Sequence, residues 1–95
     1  MKVIVKKVGG EPEVVEIEDK LEVYQRIVGG HIEVFPLWDG ILCICNEEGK
    51  LNGMLPNIMY GREIICGDII FISARGEDFM GLTDVQIDML NVILK

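Results

Sequence analysis

No segment of this sequence is apolar over the roughly 18–20 residues that a membrane-crossing helix needs. The first residues, MKVIVKKVGG, interrupt a short apolar run with lysines and contain no cleavage-site pattern, so they predict a strand rather than a signal peptide. The three cysteines are an odd number without a secretion signal, which argues against a disulfide framework. We therefore expect a cytoplasmic protein that does not bind membranes.

Positive charge is also scarce. The chain has 9 basic and 16 acidic residues, for a formal net charge of −7. Nucleic-acid affinity depends on clustered lysine and arginine, so we expect no nucleic-acid partner, and a basic partner is favoured electrostatically. The densest acidic stretch, residues 11–22, is typical of a solvated edge and helix start.

The motifs of the common enzyme classes are missing. The chain has one histidine and contains no Cys-x-x-Cys, no His-x-x-x-His and no Gly-x-Ser-x-Gly. Although 11 residues are glycine, the sequence has neither of the glycine-rich phosphate-binding motifs, Gly-x-Gly-x-x-Gly and Gly-x₄-Gly-Lys-Ser/Thr. These absences argue against metal hydrolases, catalytic triads and the known nucleotide-binding loops. We expect no catalytic residue and no cofactor.

The cysteines and the histidine leave one metal and one acid–base alternative. Cys43 and Cys45 lie two apart on a predicted strand, so their side chains face the same way. With Cys66 and His31 they could make a Cys₃His zinc site, but zinc-binding cysteines usually lie in loops and these lie among apolar residues. We therefore expect core packing and no metal. His31 and Glu33 could form an acid–base pair, but no nucleophile can be assigned to it.

The first part of the chain predicts a β-hairpin and a helix. Residues 2–8 and 13–17 have strand character, and GGEP lies between them as a turn. The helix covers about residues 20–28, with Asp19 as its expected N-cap. Gly29-Gly30 should end it, since glycine adopts the left-handed conformation at low cost.

The remainder predicts further strands and a second helix. The predicted strands cover residues 31–36, 41–45, 51–55, 63–66 and 69–74. RGED follows the last strand as a loop. The second helix covers about residues 84–94, where Thr83 and Gln86 have the spacing of a capping box.

This order, β-β-α-β-β-β-(β)-β-α, predicts a single α+β domain over residues 1–95 with a mainly antiparallel, curled sheet of five to six strands. The strands at 41–45 and 69–74 are apolar on both faces. Two short helices can cover little more than one face of such a sheet. The second face must then be closed by curling or by another subunit, which predicts a homo-oligomer.

Residues 42–57, LCICNEEGKLNGMLPN, contain the densest polar candidates. We interpret them as a hairpin with a polar tip, in which Gly49 takes the left-handed turn position. A ligand-binding interpretation stays open, because amide and hydroxyl groups near one end of the sheet suit a binding pocket. Its candidate residues are Asn46, Glu47, Lys50, Asn57, Tyr60 and Arg62.

Three segments carry a resemblance to a known family. They are VGGHIEV at 28–34, CNEEGKLNGMLPN at 45–57 and GDIIFISARGEDFMGLTDVQI at 67–87. The chain resembles a family of small proteins known as domain of unknown function 3846, which occurs in phages, plasmids and gut Firmicutes. The resemblance implies a mobile-element context, and it implies no activity and no residue roles.

Three hypotheses for the function follow. The first is a non-enzymatic binding module of phage or mobile-element type that acts on a host protein or a defence component. The alternative is a protein that binds or sequesters a small, nucleotide-like ligand in a pocket at a subunit interface. The third is an enzyme that uses His31 with Glu33 or a cysteine, although no cluster of titrating groups is evident.

Overall fold

The structure is a computed structural model and describes residues 1–94. Within them it is α+β, and the predicted fold class and element order are confirmed. The helices are α1 (Leu21–Val28) and α2 (Asp84–Ile93). The strands are β1 (Lys2–Lys6), β2 (Glu13–Glu16), β3 (Ile32–Pro36), β4 (Ile41–Asn46), β5 (Pro56–Tyr60), β6 (Glu63–Cys66), β7 (Ile69–Arg75) and β8 (Asp78–Met80).

Six strands form one open, antiparallel sheet with the order β2-β1-β7-β4-β3, and β8 also pairs with β7. The centre of the sheet is β7, where Phe71 lies opposite Ile4 on one side and Cys43 on the other. Strands β5 and β6 form a separate hairpin. Neither helix within residues 1–94 is long and apolar enough to cross a membrane.

Side chains that alternate along β1, β4 and β7 build two cores, one on each face of the sheet. On the first face Val3, Ile44, Ile70 and Ile72 are buried beneath α1, which contributes Tyr24 and Val28. On the second face the buried side chains are Ile4, Ile41, Cys43, Cys45, Ile69 and Phe71. The prediction that the two central strands are buried on both faces is therefore confirmed.

The second face is covered by the chain itself. Leu82 and Leu90 from the α2 region and Ile65 from β6 complete its core, with Ile58 of β5 packed against it. Because this cover comes from within the chain, the second face needs no other subunit. The need to close the second face therefore no longer argues for a homo-oligomer. The homo-oligomer itself stays a prediction.

The polar segment after β4 is not the predicted hairpin. Residues 47–53 form successive turns in which Asn52 N donates to Glu48 O (2.8 Å) and Met54 N to Gly49 O (2.9 Å). The predicted strand at 51–55 is wrong, and β5 begins at Pro56. The reason is that β4 already pairs with β3 and β7, so it has no free edge for a returning strand. Gly49 does not have the predicted positive φ.

Helix α1 starts differently from the prediction. Its N-cap is Lys20, without a side-chain cap, because the Asp19 carboxylate accepts a 2.6 Å hydrogen bond from Tyr24 Oη instead. Gly29 ends the helix in the left-handed conformation, as predicted. The capping box of Thr83 and Gln86 is confirmed. Strand β8 was not expected, and it shortens the predicted RGED loop to residues 76 and 77, because β7 extends to Arg75 and β8 begins at Asp78.

Truncation of Leu90 should test whether α2 closes the second face. Leu90 is fully buried, so Leu90→Ala should lower the free energy of unfolding by about 2–5 kcal/mol. Asp88 lies on the same helix and is exposed, so Asp88→Ala should change the free energy of unfolding by less than about 0.5 kcal/mol. Urea denaturation followed by circular dichroism measures both, and equal effects would contradict this packing.

Candidate functional site

The six predicted ligand-binding residues do not form one site. Asn46, Glu47 and Lys50 line one depression, at the turns that follow β4. Asn57 and Tyr60, both on β5, line another. Arg62 is exposed in the turn between β5 and β6 and lines neither depression.

The first depression, which we name the acidic cleft, has a volume of about 320 Å³. It is defined by Glu33, Glu47, Glu48, Lys50, Glu63 and the buried Cys45 and Cys66. Lys50 Nζ lies 3.6 Å from a carboxylate oxygen of Glu63, and both side chains are more than half exposed. An exposed pair of this length contributes little stability.

Asn46 serves the fold rather than a ligand. It is 6% exposed. Its Nδ2 donates to the carbonyl of Val28 (3.2 Å), and its Oδ1 accepts from Glu48 N (2.8 Å). Asn46 thus joins the end of α1 to the turn after β4. A Cβ at Gly30 would lie 2.9 Å from Asn46 Nδ2, which explains why the second residue of Gly29-Gly30 has no side chain.

The three cysteines are buried and reduced, as expected of core residues. Burial, with Cys45 close by, raises the pKa of the Cys43 thiol well above its usual range. Burial, followed by the charges of Glu33 and Cys66, raises the pKa of Cys45 to about 11. At neutral pH both are therefore poor nucleophiles. Within residues 1–94 no three His, Cys, Asp or Glu side chains are grouped so that they could hold a metal ion.

The second depression, which we name the aromatic groove, has a volume of about 340 Å³. Its more exposed lining comes from Trp38, Met59, Tyr60 and Ile93, and its base from the buried Lys6 and Phe71 with Asn57 of β5. Leu37, Ile58 and Leu94 complete it. None of these residues is acidic, which is unusual on a chain with 16 carboxylate side chains.

Two aromatic rings line the groove side by side. The rings of Trp38 and Tyr60 are stacked, with centroids 6.1 Å apart and planes 11° from parallel. Tyr60 Oη donates to the carbonyl of Leu37 (3.3 Å). Trp38 is placed by the tight turn between β3 and β4, where Asp39 and Gly40 both have positive φ. An aromatic surface of this kind suits a flat ligand.

Lys6 and Asn57 form the polar base of the groove. Lys6 Nζ donates to Asn57 Oδ1 (2.8 Å). Asn57 Nδ2 donates to the carbonyls of Lys6 and Gly67, each at 2.8 Å. The Asn57 side chain thus links β5 to β1 and to the turn before β7. It also positions the ammonium group of Lys6.

Sequence reasoning missed Lys6, Trp38 and Met59 as site residues. Lys6 falls within the predicted strand at 2–8, and Trp38 falls between the predicted strands at 31–36 and 41–45. Strand alternation offered one signal, because Lys6 lies two residues after Ile4 and so faces the same side of the sheet. Which segment covers that side could not be read from the pattern.

One family profile matches this chain over residues 1–94, and its description is domain of unknown function (DUF3846). The chain belongs to this family. No curated protein and no solved structure matches the DUF3846 chain. The predicted resemblance is confirmed, and the phage, plasmid or Firmicute origin stays a prediction.

Alkaline pH should destabilise this DUF3846 protein through Cys45. Its thiol pKa is about 11 in the folded state against an ordinary 9.0. Above pH 9 the unfolded chain therefore binds fewer protons, and the stabilisation present below pH 9 is lost as the pH rises towards 11. We expect the free energy of unfolding to fall by roughly 1 kcal/mol at pH 10 from this thiol alone.

Urea titrations at neutral pH and at about pH 10 measure this loss. The control is Cys45→Ala, which should lose less stability between the two conditions because it has one fewer thiol that ionises on unfolding. An identical pH dependence in the two proteins would contradict the assignment to Cys45.

Proposed function

We propose that this DUF3846 protein is a non-enzymatic binding protein and that the aromatic groove holds a small ligand with a flat apolar part. The observation that carries the proposal is the stacked pair of Trp38 and Tyr60 above a buried polar base. Ligand pockets are concave, mostly apolar and contain a few convergent polar groups, with volumes of about 300–1,000 Å³. The groove has this composition and lies near the lower end of that range.

The acidic cleft supports ligand binding less well. Its carboxylates at Glu47, Glu48 and Glu63 are exposed, and one of them is already near Lys50. Water competes strongly for exposed charges, so such a surface gives a ligand little net affinity. Its buried amide, Asn46, already has both polar atoms in hydrogen bonds.

The groove modifies the small-molecule hypothesis drawn from the sequence. That hypothesis placed a nucleotide-like ligand at a subunit interface near Asn46, Lys50, Asn57 and Arg62, and of these four residues only Asn57 lines the groove. The groove is complete within one chain, so the proposal requires no second subunit. A nucleotide-like ligand remains compatible, because a base is a flat ring that can stack on an aromatic side chain. Action within a phage or mobile element stays part of the proposal.

Binding can be followed through Trp38, which is the one tryptophan of the chain. We expect members of a panel of nucleosides, nucleotides and other planar compounds to change its fluorescence and to raise the melting temperature. Tyr60→Ala should weaken such binding about five- to tenfold, because it removes one ring of the stacked pair.

The control is Leu51→Ala, which changes a side chain that is 85% exposed in the acidic cleft. It should leave the affinity unchanged. If no compound in the panel alters either the fluorescence or the melting temperature of the unsubstituted protein, the proposed function is wrong.

A second candidate function is protein–protein interaction, which includes the predicted homo-oligomer. Helix α2 carries an apolar stripe on its outer side at helical spacing: Val85 (68% exposed), Met89 and Val92 (77% exposed). Contiguous exposed apolar side chains are typical of interaction surfaces. A second copy of the chain or a host protein could bury this stripe.

Sedimentation velocity over a range of concentrations tests the self-association. We expect the unsubstituted protein to form a dimer or larger species, and Val92→Asp to shift it towards the monomer because a carboxylate would be buried. The matched control is Leu21→Asp on α1, which is 53% exposed on the opposite side of the sheet. A monomer at every concentration would contradict the homo-oligomer.

A further inference from the structure

We infer that the ligand of the aromatic groove is an organic anion, whose flat ring lies against Trp38 and Tyr60 and whose carboxylate or phosphate group is bound by Lys6. This inference rests on the proposed function and adds the chemical class of the ligand. It is drawn from the burial, the partners and the charge surroundings of Lys6.

Lys6 is an unusual lysine because it is buried. Only 9% of its surface is exposed, and it lines the base of the groove. Buried ammonium groups are normally paired with a carboxylate, since removing a charge from water is costly. Within residues 1–94 no Asp or Glu oxygen lies within 4.0 Å of Lys6 Nζ. The charge therefore has no ionic partner in the part of the protein that the structure describes.

The hydrogen bonds of Lys6 are also incomplete. An ammonium group carries three N–H donors. In the described part of the chain one of them is used, in the bond to Asn57 Oδ1. Among the described residues the other two donors have no hydrogen-bond acceptor, and Lys6 lines the groove in which the anion would bind.

A purely structural role does not explain the charge. Asn57 Oδ1 needs only one donor, and a neutral group would supply it without the cost of burying an ammonium. The side-chain amide of Asn57 accepts one hydrogen bond from Lys6 through Oδ1, and its Nδ2 donates hydrogen bonds to two backbone carbonyls. This hydrogen bond positions the Lys6 ammonium group at the base of the groove, so the lysine side chain loses less conformational entropy when a ligand binds.

The surroundings of the groove allow an anion in spite of the overall charge of −7. No acidic residue lines it. Charges farther away are screened over about 8 Å at physiological salt. Phe71 and Ile58 also line the groove, and apolar surroundings strengthen the attraction of a lysine for an opposite charge.

Two pairs of compounds that differ only in charge test the inference by isothermal titration calorimetry. Adenosine 5′-monophosphate is compared with adenosine, and indole-3-acetate with indole-3-acetamide. We expect at least one anion to bind about tenfold or more tightly than its neutral partner, because a charge-assisted hydrogen bond contributes that much. The first pair reports on phosphate and the second on carboxylate.

Lys6→Met keeps an apolar side chain of similar length and removes the charge. We expect the anion to lose its advantage in this variant and the neutral compound to keep its affinity. The matched control is Lys7→Gln, which removes the charge of the exposed neighbouring lysine and should preserve the preference for the anion. Circular dichroism checks that each variant is folded.

The unsubstituted protein decides the question even if Lys6→Met does not fold. Equal affinity for both members of each pair would overturn the inference and leave the groove as a site for neutral ligands. A preference for anions that survives in a folded Lys6→Met would overturn the role of Lys6. If none of the four compounds binds, the inference fails, whereas the proposed function fails only if the whole panel of planar compounds gives no response.

Discussion

The burial of β7 on both faces is the constraint on which the rest of the structure depends. Ile69 and Phe71 point to one side of the sheet and Ile70 and Ile72 to the other, and all are at most 1% exposed. An apolar strand surface is stable only when other apolar groups exclude water from it. Each face of the sheet therefore needs its own cover, although the chain is only 95 residues long.

The two covers differ, and this difference produces the groove. The first face is covered by α1, through Tyr24 and Val28. The second is covered by two separate pieces, α2 and the β5–β6 hairpin. Where the end of α2, β5 and the β3–β4 turn meet, Trp38 and Tyr60 stack at the rim and Lys6 stays at the base. The candidate site thus lies at the boundary between the elements that cover the second face of the sheet.

Much of the fold followed from local patterns. The apolar runs around Cys43 and Phe71 predicted central strands, and the Thr83–Gln86 spacing predicted the start of α2. The strand at 51–55 was wrong because pairing depends on free sheet edges, and both edges of β4 are occupied by strands from elsewhere in the chain.

Of the predicted ligand residues, Asn57 and Tyr60 lie in the groove, whereas the side chain of Asn46 is engaged in hydrogen bonds with the backbone. Lys6 and Trp38 were missed because they line the same groove although more than thirty residues separate them in the sequence.

The sequence by itself determined the class of the fold, the order of its elements and the burial of its cysteines, since these depend on the period of apolar residues and on caps and turns within a few positions. The tertiary structure decided which elements cover each face, and therefore where the groove lies. It also decided that Lys6 is buried without a carboxylate among residues 1–94 while Asn57 holds it. Contacts between distant segments are set by which edges and faces remain uncovered after the sheet has formed, and no local pattern records that.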